Sequence, residues 1–90
     1  MMLRMRTPET HRPPSGGIDA LALGSRIATR RKMDRISQRE LARLTGLRPE
    51  RIARLELGKV EPMLREIVKI AAVLRMELPE LAFGPEGSPS

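Results

Sequence analysis

The feature that most constrains this 90-residue chain is the run from Ser37 to Gly58, SQRELARLTGLRPERIARLELG. Its apolar residues fall into two short sets at helical spacing. Leu41, Ala42 and Leu44 supply the buried side of one helix, and Ile52 and Leu55 that of the next. Ser37 and Glu40 form an S-x-x-E capping box, in which each side chain satisfies the other's orphan amide. Thr45 and Gly46 end the first helix, because glycine takes the left-handed conformation at no steric cost. Pro49 suits the first position of the second helix, which ends at Gly58. Two amphipathic helices are thus set either side of a tight turn, with Glu50, Arg51 and Arg54 on the outer side of the second.

The flanking sequence extends the pattern. Ala20, Leu23 and Ile27 give one apolar stripe to a helix over Asp19–Met33. After Pro62, Leu64, Ile67, Val68, Ala71 and Leu74 form the apolar side of another helix, and a short one follows over Leu78–Phe83. No segment alternates over enough residues to suggest a sheet. The expected fold class is all-α, five short helices around one core. Phe83 is the only aromatic residue, so that core is aliphatic, with Met33, Met63 and Met76 expected as gap-fillers. Residues 1–17 carry Pro8, Pro13, Pro14, Gly16 and Gly17 beside Arg4, Arg6 and Arg12, and are expected to be a disordered, mildly basic leader. The folded domain is expected over 18–83, with a flexible tail over 84–90.

Composition excludes several function classes. The absence of cysteine removes disulfides, thiolate metal sites and a cysteine nucleophile. No apolar run reaches membrane-spanning length and no signal-peptide pattern opens the chain, so a soluble cytoplasmic protein is expected. Without aromatic platforms, recognition of single strands by base stacking is disfavoured. His11 is isolated, the acidic residues are dispersed, and no glycine-rich phosphate loop is present. The expectation is therefore a non-enzyme without cofactor or metal.

The net charge of +6 is unevenly placed. Residues 26–59 hold 11 basic and 4 acidic side chains, whereas residues 60–83 hold 3 and 4. The plain reading of such a concentration is a solvated arginine-rich surface. The functional one is the footprint of a phosphate binder, since two helices across a tight turn with a basic outer face can put one of them into the major groove of DNA.

The residues from Leu23 to Leu81 resemble the Cro/repressor helix-turn-helix family, the lambda-repressor-like or XRE type. The marks are R-I at Arg26–Ile27, S-Q-x-E-L-A at Ser37–Ala42, the turn glycine Gly46, I-x-x-L-E-x-G-K at Ile52–Lys59, Pro62, and I-x-K-I-A-x-x-L at Ile67–Leu74. The resemblance implies a five-helix DNA-binding domain. It implies that Gln38 braces the DNA backbone and the first reading side chain, and that Ser37 leaves its helix amino end facing a phosphate. Glu50, Arg51 and Arg54 then occupy the outward positions of the recognition helix, with Arg48 and Lys59 placed for phosphate contacts. Glu56 resembles the family glutamate that pairs with an arginine of the first helix, here Arg31. Independently, Arg51 or Arg54 has the donors to read a guanine, and Glu50 accepts from the cytosine amine. Glu50 equally suits the positive end of its helix, or an i,i+4 pair with Arg54.

The chain departs from the family pattern at several points. Pro49 stands where a polar base-reading residue is frequent, which shifts readout toward Glu50, Arg51 and Arg54. Arg48, Met63 and Glu77 replace helix caps, each worth about 0.5–2 kcal/mol. Arg30 falls at a usually buried leucine, its stem packing while its head reaches water. Arg35 and Arg75 stand at turns where glycine is common. Two functions fit: a transcriptional regulator, most simply a repressor, binding a palindromic operator as a homodimer, or the antitoxin of a toxin–antitoxin pair, with a toxin as partner besides double-stranded DNA.

Overall fold

A computed structural model describes residues 17–85, and the expected leader and tail fall almost wholly outside them. Within them lie five helices: α1 (Ala20–Met33), α2 (Gln38–Thr45), α3 (Pro49–Glu56), α4 (Leu64–Leu74) and α5 (Leu78–Phe83). The all-α, five-helix architecture is the expected one. Asp19 caps α1, its Oδ1 accepting from the amides of Leu21 and Ala22 at 3.1 and 3.3 Å. α3 packs against both α1 and α2, and α4 and α5 close the other side of the core.

Leu23, Ile27, Leu41, Ile52, Ile67, Ile70, Leu74 and Leu81 are the large side chains sealed from solvent. They come from all five helices, so each helix contributes its apolar stripe to one aliphatic cluster.

Several expectations about burial are corrected. On α4 the buried stripe runs through Ile67, Ile70, Ala71 and Leu74, spaced by three and four. Leu64, at the first position of the helix, and Val68, beside the stripe, are exposed. Leu44 of α2 is exposed as well, since Leu41, Ala42 and Thr45 turn inward. Met33 and Met63 lie at the surface, and only Met76 packs on the core.

Backbone devices differ in part from those read in the sequence. Ser37 Oγ accepts from the Glu40 amide at 2.9 Å, half of the capping box. The Glu40 carboxylate turns instead to Arg43, at 2.6 and 3.1 Å, because that exposed arginine offers two charged donors. Gly46 has φ 77° and closes α2, its amide reaching the Ala42 carbonyl. Thr45 Oγ1 donates to the Leu41 carbonyl and accepts from the Leu47 amide, which satisfies this buried hydroxyl inside the turn. No side chain of Arg48, Met63 or Glu77 caps its helix. At α4 the Glu66 carboxylate compensates by accepting from the Met63 amide at 2.9 Å. Arg35 and Arg75 do hold positive φ, 60° and 57°. Arg30 is half-buried and ion-pairs with Asp34 at 3.6 Å.

Candidate nucleic-acid interface

The outer surface of the two-helix unit is built around α3. Glu50 and Arg54 are exposed on it, and Arg48 and Lys59 are exposed at its two ends. Gly58, at φ 70°, reverses the chain so that the Lys59 amide returns to the Arg54 carbonyl at 3.0 Å. That closure fixes where Lys59 leaves the helix. Arg39 and Arg43 of the neighbouring α2, and its cap Ser37, are exposed as well. The surface is strongly basic, with Glu50 as an acceptor on α3.

Two ion pairs hold α3. At its C-terminal end Arg31 of α1 meets Glu56 with two parallel bonds, Nε to Oε2 at 2.6 Å and Nη2 to Oε1 at 3.0 Å. Arg31 Nη1 also donates to the Ile36 carbonyl at 2.9 Å, tying in the turn before α2. Gln38 Nε2 donates to the same Glu56 Oε1 at 2.9 Å. Gln38 is thereby braced against α3 from the first turn of α2. Hydrogen bonding to Glu56 raises the Arg31 pKa against the lowering effect of burial. At the other end Arg51 Nε and Nη2 donate to Glu66 of α4 at 2.7 and 2.9 Å. Arg51 Nη2 also donates to the Glu61 carbonyl at 3.1 Å. The Arg51 guanidinium holds the Glu66 carboxyl below the usual carboxylate range, against burial, which pushes it up; the Met63 amide adds to the lowering.

The structure therefore divides the residues singled out in the sequence. Glu50, Arg54, Arg48, Lys59 and Ser37 are all exposed, while Arg31, Glu56 and Gln38 form a largely buried network. Arg51 stands between, half-buried and bonded to Glu66.

Three further positions carry the geometry without having been singled out for it. Gly24 lies where α1 crosses α3, and a Cβ there would overlap the Leu55 carbonyl and sit 2.7 Å from the Glu56 carbonyl oxygen. A glycine in the middle of a helix costs about 0.5–1 kcal/mol relative to alanine, which is the sequence signal of a close approach. Arg26 Nη1 donates to the carbonyls of Leu81 and Ala82 at 3.0 and 3.2 Å, so α1 caps the end of α5. Glu66 is buried and accepts from the Arg51 guanidinium and the Met63 amide. Neither Arg26 nor Glu66 has a local pattern that announces its distant partner.

Among the described residues no group of three His, Cys, Asp or Glu side chains could hold a metal ion. No described helix is long and apolar enough to cross a membrane.

A helix-turn-helix family model matches residues 27–81, and the chain belongs to that family, in its lambda-repressor-like, XRE branch. Among solved structures it is similar to the restriction-modification controller protein C.AhdI from Aeromonas hydrophila, with 33% identity and a TM-score of 0.67 over 70% of this chain and 96% of that one. It is also similar to the P22 c2 repressor, solved in complex with a synthetic operator, with 27% identity and a TM-score of 0.66 over 69% and 94%. Hydroxypropylphosphonic acid epoxidase from S. wedmorenis is 27% identical with a TM-score of 0.65, but the match spans 35% of that enzyme's chain. No curated protein sequence matches the chain.

Proposed function

We propose that this chain is a DNA-binding transcriptional regulator that places α3 in the major groove. The observation that carries this reading is the division just described. Glu50 and Arg54 are presented outward between Arg48 and Lys59, on a helix whose two ends are fixed from behind by bidentate ion pairs. In this reading Arg54 donates to a guanine edge and Glu50 accepts from a cytosine amine. Arg48 and Lys59 hold phosphates, and the exposed amino end of α2 at Ser37 faces another. Membership of the helix-turn-helix family and likeness to a controller protein and a repressor support it.

One reading helix covers only a few base pairs, so the proposed operator is two-fold symmetric, bound by a homodimer with half-sites about one helical turn apart. The regulator is a repressor in its simplest form, non-enzymatic and cytoplasmic. The experiment is selection of random duplex DNA by the purified chain, followed by affinity against salt for the winner and for a scrambled duplex. An enriched palindrome preferred by roughly 10³-fold or more is the expected result. Weak, salt-sensitive binding without enrichment overturns the sequence-specific reading.

A further inference from the structure

We infer that Arg51 is a positioning residue of the recognition helix and that Glu66 is its counterpart, so that readout falls to the other outward residues of α3. The inference rests on the DNA-binding reading above and sharpens it. By position alone Arg51 stands among the base readers, one residue after Glu50 and three before Arg54. Its donors are committed elsewhere. A bidentate contact to guanine needs two adjacent N–H groups along one edge of the guanidinium. Both such edges pass through Nη2. In this structure Nη2 donates to Glu66 Oε1 at 2.9 Å and to the Glu61 carbonyl at 3.1 Å, and Nε donates to Glu66 Oε2 at 2.7 Å.

The acceptor side is as well fixed. Glu66 is 5% exposed, and its Oε1 also takes the Met63 amide at 2.9 Å. Freeing Arg51 for DNA leaves a buried carboxylate without its charged partner, a costly state. The pair joins the first turn of α3 to the first turn of α4 and to the loop between them. Arg31 and Glu56 join the last residue of α3 to α1. With one clamp at each end, α3 has a fixed tilt before it meets DNA, which is what precise placement of Glu50 and Arg54 requires.

The test compares wild type, Arg51→Gln, Glu66→Gln and the double variant, each first checked for cooperative thermal unfolding. Affinities for the selected operator and for a scrambled duplex are then followed against salt. Arg51→Gln and Glu66→Gln are expected to lose operator affinity in parallel. The double variant is expected to lose no more than either single one, because both remove the same link. Selection by each single variant still returns the wild-type base at every position, and the salt slope on scrambled duplex stays unchanged.

Three results overturn the inference. One is an altered base preference at one operator position in Arg51→Gln alone. Another is a salt slope flattened by about one unit in Arg51→Gln, the mark of a lost phosphate contact. The third is a Glu66→Gln variant that binds the operator as well as wild type or better. Should the single variants not fold, the charge-reversed pair Arg51→Glu with Glu66→Arg decides: operator affinity is kept if Arg51 only positions α3, and lost if a glutamate at 51 faces the DNA. A wild-type chain that neither selects a sequence nor binds scrambled duplex overturns the DNA-binding reading itself, an outcome distinct from all of these.

Discussion

Arg31 and Glu56 lie 25 residues apart and meet face to face, with two hydrogen bonds of 2.6 and 3.0 Å between a guanidinium and a carboxylate that are 10% and 6% exposed. Gln38 and the Ile36 carbonyl complete the set, so one network joins α1, the turn, α2 and the end of α3. Removing either charged partner leaves the other buried and uncompensated.

Arg31→Ala and Glu56→Ala are each expected to destabilise the domain by roughly 3–5 kcal/mol. In a domain of this size that lowers the melting temperature by more than about 10 °C. Thermal unfolding followed by circular dichroism checks it. The double variant should be less destabilised than the sum of the two, since the second substitution removes a charge already stranded by the first.

Gly24→Ala is expected to destabilise, although alanine is the better helix former. The added carbon meets backbone of α3, which has no flexible end to swing away. α1 and α3 must separate, at a cost of about 1–3 kcal/mol for overpacking. A chemical-denaturation midpoint at or above the wild-type value would show that the crossing is looser than the structure has it.

Arg54→Ala and Lys59→Ala are expected to weaken DNA binding in different ways. Loss of Arg54 relaxes discrimination at one operator position by about 1–3 kcal/mol. Loss of Lys59 weakens operator and scrambled duplex alike and flattens the salt dependence by about one unit. Identical behaviour of the two variants on both duplexes would refute the division into a base reader and a phosphate contact.

Acid is expected to destabilise the fold partly through Glu66. Its carboxyl titrates lower in the folded chain than the ordinary 4.5, chiefly because Arg51 hydrogen-bonds the ionised form. A group of this kind contributes stability above its unfolded-state pKa and loses it as pH falls through the folded value. Urea unfolding from neutral pH into the acid range should therefore show stability falling below about pH 4.5, with a shallower fall in Glu66→Gln. Glu40 is shifted in the same direction by Arg43 but its side chain lies at the surface, so solvent and salt screen its share.

Much of the fold was legible along the chain, because helices are local. Periodicity, the serine cap, Gly46 and Pro49 are features of neighbouring residues, and they located all five helices to within a few positions. The outward residues Glu50 and Arg54 follow from the same local geometry: once Ile52 and Leu55 point inward, positions two before and two after Ile52 fall on the opposite side of the helix. The pairing of Arg31 with Glu56 was suggested by family resemblance alone, since nothing in residues 25 apart selects them for each other.

Tertiary structure decided the rest. Periodicity gives a stripe but not its edges: Leu44, Leu64 and Val68 fit the stripe by spacing but lie exposed, and Ile70 completes the core instead. It gives no reason for Gly24, whose role exists only where the α1 and α3 backbones cross. The fate of Arg51 is the sharpest case. Its sequence position marks it as a reader, but whether an arginine's donors meet DNA or a carboxylate depends on what α4 brings beside it. That placement is fixed by packing, and here it brings Glu66 within 2.7 Å. The sequence by itself determined the helices and the charge they carry; the packing of α3 on α1 and α2, and the placement of α4 beside Arg51, decided which of those charges is left to act.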